Sequence, residues 1–314
     1  MTAAPLLLEC DEALRRGFGH RPVLGRHTLA DSGLFDDAAL GALIDAFPRE
    51  RLHALTMGHD PERPDENRAV RHDGIAGAEL LDAVREGRLW LNLTRVERAA
   101  PPLRALVDCL YAELARALPG FAPDATQATL IVSSPGALVY YHVDGPASVL
   151  WHLRGDKRVW TYPALDEHYA GREALEDIFA GTRHEYLPFE SAFDAAAQVH
   201  DLRPGEWIAW PHNAPHRVTN GNTLNVSLST EHFTAAGRRR ARVWLANRYL
   251  RRRWGLAELA TRETGVAAAL KVFVHRLARV AGGDPRPPKQ HQASLRIDRG
   301  APGGLAPLDA EAPA

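Results

Sequence analysis

The sequence predicts an α+β protein with a mostly β core, a closed sandwich or barrel of short strands flanked by helices on both sides. Three observations predict it. Between Thr126 and Phe233 short β-type runs alternate with turn residues. The segments before and after carry apolar residues at helical spacing. A chain of 314 residues with 45% hydrophobic and 25% charged side chains can bury a sizeable core, which excludes collagen-like, wholly disordered and disulfide-scaffold classes.

In order along the chain, residues 1–125 read as mostly helical and packed on the barrel. Asp36 and Asp37 cap a helix whose residues Leu40, Leu43, Ile44 and Phe47 share one face, stopped by Pro48. A second helix is expected near residues 78–88. A third starts at Pro101 and Pro102 and runs through Leu103, Leu106, Val107, Leu110, Tyr111 and Leu114 to Pro119 and Gly120. The polar, proline-bearing stretch from Gly58 to Asp73 reads as a mobile loop able to cover a pocket.

The barrel, residues 126–234, is expected to hold strands at 128–133, 137–143, 149–154, 157–162, 198–202, 207–210 and 223–230, with Gly155-Asp156 and Pro204-Gly205 as hairpin turns. A helical insert is expected at 165–180. Residues 235–281 return to helix. Arg238 to Arg253 holds eight arginines and no acid around an inner stripe of Val243, Asn247, Leu250 and Trp254, and a second helix covers 261–280. From 282 to 314, Pro and Gly make up 11 of 33 residues without an apolar face, so this tail reads as disordered.

The net charge of −1 conceals a division. Residues 1–234 sum to −11 and residues 235–282 to +10, which suits docking of the basic helices on the acidic part or on a second copy. Cys10 and Cys109, both without a motif, fit a reducing compartment. The start of the chain lacks the pattern of a signal peptide, and no stretch reaches the roughly 18 apolar residues of a membrane span. A cytoplasmic location is expected, with no membrane partner.

The chemistry gathers at three places. His142 and Asp144 form an H-x-D whose side chains share one strand face and can grip a metal ion, a signal that is weak alone. His216 follows 74 residues later, close enough in space only if the fold joins distant strands. Two His and one Asp suit non-haem Fe(II), leaving positions for an oxidisable cosubstrate and O2. His212 competes, but Pro215 argues against a helical pair with His216, so it reads as a supporting or surface residue. Finally, Lys157 is one of three lysines among 38 basic residues. A compact ammonium meets a single carboxylate in a narrow pocket, although a solvated lysine beside Asp156 is the bland alternative.

The runs Ser133–Pro163, Leu202–Val218 and Leu224–Phe233 together resemble the JmjC-like, cupin-like family of Fe(II)- and 2-oxoglutarate-dependent oxygenases, in its bacterial members and, more distantly, the asparaginyl hydroxylase of the hypoxia response. The resemblance covers about residues 126–233 and implies a double-stranded β-helix, or jelly-roll. It implies that His142, Asp144 and His216 hold Fe(II), that Lys157 holds the distal carboxylate of 2-oxoglutarate, and that Ser148 and Ser227 flank the proximal one. Many relatives carry Thr-Pro where this chain has Val139-Tyr140, which makes Tyr140 the candidate substitute donor. The implied reaction consumes O2 and 2-oxoglutarate, releases succinate and CO2, and hydroxylates a C–H bond of a peptide or protein side chain or of a small metabolite. Asp144 favours hydroxylation or demethylation over halogenation.

Two rival readings remain at this stage. One is a catalytically silent cupin acting as a metal or ligand sensor, or as a regulator. The other sets the arginine-rich helix on nucleic acid, but aromatic residues there are limited to Trp244 and Tyr249 and no DNA-binding motif precedes it. Nucleic acid is therefore not expected; the arginine-rich face reads as solvated or intersubunit, and the resemblance is compatible with a homodimer through the C-terminal helices. Trp151, Trp160, Trp207, Trp210 and Tyr141 read as packing aromatics, and Arg154, Arg158 and Arg217 as rim charges.

Overall fold

A computed structural model describes residues 6–280 and 293–308. The N-terminal third runs β1 (Leu7–Leu8), α1 (Glu12–Gly17), β2 (Val23–His27), α2 (Asp37–Ala46), β3 (Leu52–Thr56), β4 (Arg68–Arg71), α3 (Gly77–Glu86), β5 (Leu89–Thr94), α4 (Val96–Ala99) and α5 (Pro101–Ala117). The middle runs β6 (Asp124–Ser133), β7 (Leu138–His142), β8 (Ala147–Arg154), β9 (Lys157–Thr161), α6 (Arg172–Phe179), β10 (Gln198–Leu202), β11 (Glu206–Ala209), β12 (His216–Asn220) and β13 (Asn225–Phe233). Then come α7 (Ala235–Trp254), α8 (Val266–Val280), β14 (Leu295–Ile297) and β15 (Leu305–Pro307).

The strands form a mixed α+β architecture with two sheets. The large one has the order β1-β2-β11-β8-β13-β6-β5-β3-β4-β14-β15, and the small one β10-β9-β12-β7. Strand alternation explains what each face holds. Val149, Trp151 and Leu153 of β8 and Val226 and Leu228 of β13 pack with Leu40, Ile44, Leu80, Val84, Leu110 and Leu114 of the N-terminal helices. The intervening residues look the other way, and Leu150 and Ile208 meet Val159, Leu202 and Val218 of the small sheet. Gly25 is required here, because a Cβ on it would stand 2.4 Å from the buried Trp207 indole.

Several expectations are corrected. The N-terminal third is not merely helical, since β2 to β5 extend the large sheet. Leu52, Ala54 and Thr56 alternate inward, a period hidden by the shortness of the run. The stretch from Gly58 to Asp73 is an ordered segment containing β4, paired with β3 and β14. Gly155-Asp156 and Pro204-Gly205 are not hairpin turns, because β8 and β9, and likewise β10 and β11, lie in different sheets. The two glycines, at φ 82° and 87°, turn the chain from one sheet to the other.

β12 carries His216 yet has no strand signature, with Arg217, Thr219 and Asn220 in it. It is held by neighbours on both sides, β9 and β7. Its Arg217 lies 3.7 Å over the Trp160 ring and pairs with Asp194 at 2.6 Å. The tail read as disordered supplies β14 and β15, a hairpin whose Leu295 is buried beside Val70. The rest of that tail, residues 282–292 and 309–314, lies outside the described residues. Trp254, expected on the inner stripe of α7, is exposed, while Val243, Asn247 and Leu250 are buried.

The division of charge has a structural counterpart. Arg238 pairs with Asp124, Arg240 with Glu263, Arg248 and Arg252 with Asp177, and Arg251 with Glu176, so α7 is fastened to acidic groups of the barrel, α6 and its own following loop. Arg154 and Arg158 are likewise occupied, by Asp37 and Asp201. Both cysteines are free thiols. Among the described residues no helix is long and apolar enough to cross a membrane.

Candidate metal centre

Antiparallel pairing of β7 with β12 sets His142 directly across from His216, and Asp144 follows two residues beyond the end of β7. One ligand atom from each of the three lies within 4.8 Å of the others. Nε2 of His142 is 3.6 Å from Asp144 Oδ1, and Nε2 of His216 is 3.6 Å from Oδ2. The far side of each ring fixes its tautomer: Nδ1–H of His142 donates to the Tyr140 carbonyl at 2.7 Å, and Nδ1–H of His216 to that of Ala214 at 3.1 Å. A carbonyl can only accept, so Nδ1 is the donor in each ring and Nε2 is the atom that faces the carboxylate. Burial, then the neighbouring His142, pushes the His216 pKa down to about 4, which keeps it in the neutral, ligating form. Two imidazoles and one carboxylate on one side of a point fit a divalent ion such as Fe(II).

The loop after Asp144 is braced from behind. Asn213 Nδ2 donates to the Asp144 carbonyl at 2.9 Å and His212 Nε2 to that of Gly145 at 2.8 Å. Arg240 of α7 donates in turn to the His212 carbonyl at 3.2 Å and to Asn213 Oδ1 at 3.4 Å. Asn213 has φ 65°, a left-handed conformation that Asn tolerates better than most residues. His212 thus takes the supporting role expected of it. The Trp210 ring stacks 4.3 Å from His216.

Lys157 begins β9, four residues from Thr161, the residue across from His216. That separation is about 13 Å along the strand. Its side chain is buried and points Nζ at Asn220 Oδ1, 2.9 Å away. The Asn220 amide is fixed by donating to Ser133 Oγ and the Ser134 carbonyl, both at 2.8 Å. Among the described residues no carboxylate pairs with Lys157, and burial pushes its pKa down to about 7. Beside it, His152 Nε2–H donates to the Gly155 carbonyl and its Nδ1 is 3.1 Å from Ser227 Oγ. Burial and the Lys157 charge hold His152 neutral, with a pKa near 3.

The remaining predicted site residues divide. Register pairs Ser148 with Glu231 but Ser227 with His152, four positions further along β8, so the two serines stand at different levels and do not flank one carboxylate together. Ser148 Oγ is buried without a partner among the described residues. Glu231 accepts a hydrogen bond from Gln127, and burial with the charge of Asp144 raises its pKa to about 7. Tyr140 is not shown as a substitute donor. The β7–β12 register is irregular between His216 and Val218, and Val139 faces Val218. The Tyr140 hydroxyl accepts the Gly58 amide at 2.8 Å within a cluster containing Met57 and Trp90.

The free edge of β7 is covered by residues 185–187. Val143 N–H donates to the Glu185 carbonyl and Leu187 N–H to that of Tyr141. Tyr186, across from His142, accepts from Asn67 and lines an open cavity of about 600 Å³ with Asp65, Arg68, Arg183 and His184. Sequence reasoning missed Asn213, Asn220, Glu231 and Tyr186, because each acts through a partner distant in the chain.

No protein-family model matches the chain, and no curated protein matches it significantly. Among solved structures, the X-ray structure of ycfD from Escherichia coli superposes with a TM-score of 0.50 at 17% identity, over 88% of this chain and 68% of that one. Another structure of that protein, described as a ribosomal oxygenase in complex with cobalt and 2-oxoglutarate, gives 0.47 at 18% identity over 88% and 68%. A further one gives 0.46 at 16% over 93% and 74%. At these identities the likeness is one of fold.

Proposed function

We propose that this chain is an Fe(II)- and 2-oxoglutarate-dependent oxygenase that hydroxylates a C–H bond of a peptide or protein side chain, or of a small metabolite. The two facing sheets are read as a double-stranded β-helix. One observation carries the functional reading: a His-His-Asp donor set at the β7–β12 pair and, on the adjoining β9, a buried ammonium with no carboxylate partner among the described residues lie in one small sheet. A single-point metal site would not need the second feature. A dicarboxylate cosubstrate needs both.

When bound, the metal with 2-oxoglutarate and O2 would supply the oxidising chemistry, with succinate and CO2 as co-products. The work of the chain is positional. His142, Asp144 and His216 would hold the ion, their orientation set by the carbonyls of Tyr140 and Ala214 and by Asn213. Lys157, aimed by Asn220, would hold the distal carboxylate. Ser148, buried and without a partner among the described residues, would donate at the level of Glu231. Trp210, Leu150, Ile208, Val159 and Val218 exclude water between the two ends. The substrate would approach along the cavity bounded by Asp65, Arg183 and Tyr186.

Purified protein supplied with Fe(II), 2-oxoglutarate and O2 is expected to release succinate, with or without added substrate, and to stop doing so as Asp144→Ala. Metal binding with no turnover under any supplied substrate class would replace this reading with that of a sensor.

A further inference from the structure

A cavity of about 670 Å³ opens between α1, the turn after α5 and the start of α7, a volume that suits a small organic ligand. None of His142, Asp144 and His216 lines it. Trp210, which stacks on His216, and His212, which holds the Gly145 carbonyl, do line it and close it off from the metal centre. The charge of the lining is one-sided: Arg15, Arg16 and Arg240 contribute to it with His20 and His232, and no Asp or Glu does. Carboxylates outside the cavity neutralise these arginines only in part. The largely exposed Glu12 is shared by Arg16 at 2.8 Å and Arg15 at 4.0 Å. Glu263 accepts from Nε of Arg240, whose Nη1 donates to the His212 carbonyl and Asn213, while no hydrogen bond among the described residues uses Nη2.

Helix α7 adds its positive end. Its first turn lines the cavity at Ala236 and Gly237 and contains no acid. Thr234 Oγ1 caps the Gly237 amide at 3.1 Å, and the amides of Ala235 and Ala236 have no acceptor among the described residues. The turn lies this close to the cavity wall because residue 237 is glycine, since a Cβ there would stand 2.8 Å from the His212 ring. Independently of the helix, Ser148 of β8 lines the same cavity, is 3% exposed, and has no partner for its Oγ among the described residues. A buried hydroxyl in that state costs stability until an occupant accepts from it. Phe18 and Phe121, edge to face at 5.2 Å, form an apolar wall with Leu118 and Leu165. We propose that this cavity binds an organic phosphate, its head on the first turn of α7 and the arginines, its apolar body against Phe18 and Phe121. Phosphate suits the site better than carboxylate because its oxygens can take helix amides and guanidinium donors together.

Calorimetric titration of the metal-free full chain with phenyl phosphate, inorganic phosphate, phenol and benzoate tests this. The expected result is a Kd for phenyl phosphate below about 1 mM, and at least about tenfold below the Kd of each of the other three, which lack the head, the body or the third oxygen. Ala236→Glu sets a carboxylate at an exposed first-turn position, where it favours the helix and fills the site with an anion of the chain itself. It is expected to leave thermal stability unchanged or raised and to weaken phenyl phosphate at least about tenfold. Arg15→Gln combined with Arg16→Gln is expected to weaken it about threefold or more, and Arg239→Gln, outside the lining, to leave it unchanged. A Kd above about 1 mM, inorganic phosphate or benzoate binding as tightly as phenyl phosphate, or binding indifferent to both the glutamate and the double glutamine variant overturns the proposal. So does binding that is lost with Lys157→Met and kept with Ala236→Glu, which would place the anion at Lys157.

Discussion

The two ends of the β9–β12 pair differ in sign and in exposure. Where His216 faces Thr161, the site is half open and gathers a carboxylate and two imidazoles, with Glu231 nearby. Where Asn220 faces Lys157, it is closed and holds one ammonium with a neutral amide for company. Each end is electrostatically incomplete, and in opposite senses. A cation at the first and a carboxylate at the second would complete both, which is why the pair together says more than either motif does.

Removing the charge at the open end is expected to have the largest effect. Asp144→Ala should weaken Fe(II) binding more than about a hundredfold, beyond the range found when only an orienting partner of a ligand is lost. Anaerobic metal titration reads this directly. An affinity within tenfold of the parent would break the comparison at its first end.

At the closed end Lys157→Met should cost about one to two decades of 2-oxoglutarate affinity, as expected for losing a hydrogen bond to a charged group, while the ligand-free protein becomes more stable. The pH dependence follows from linkage. Lys157 is held near pKa 7 in the fold against an ordinary 10.5, so the unfolded chain binds more protons between those values. The penalty is full below pH 7 and is relieved as pH rises toward 10.5. Chemical denaturation of the ligand-free protein should therefore show a stability gain from pH 7 to 10 that Lys157→Met lacks. Equal slopes in the two proteins would show that Lys157 is not the buried charge it is taken to be.

The brace behind the open end is expected to matter less. Asn213→Gly keeps the left-handed backbone but deletes the amide that donates to the Asp144 carbonyl. About a tenfold loss of metal affinity is expected with the fold intact. No loss would mean that the loop is positioned by His212 and Gly145 alone.

What was legible in the sequence follows the same division. His142, Asp144 and His216 were legible because a donor set announces itself by residue type, and Lys157 because a lysine is conspicuous where arginine is the habit. The faces of β13 follow from its period of two, with Ser227 and Ser229 opposite Val226 and Leu228. β12 was not, since Arg217 and Asn220 read as loop until Asp194, Trp160 and Lys157 are in place around them. The glycine turns at 155 and 205 carry the right residues for a hairpin, and only the placement of partner strands in two sheets shows that they are corners. Ser227 was set beside Ser148 at one carboxylate, whereas the two stand at different levels, because residue type says nothing of level and register alone sets it.

That misplacement yields the smallest and most selective test. Ser227 Oγ lies 3.1 Å from Nδ1 of buried His152, whose other nitrogen already donates to Gly155, so the hydroxyl serves the closed end. Ser227→Ala should lower stability by about 1 kcal/mol, the net worth of one buried hydrogen bond, and leave Fe(II) affinity unchanged. A change in metal affinity would return Ser227 to the open end and overturn the separation of levels that the β8–β13 register implies.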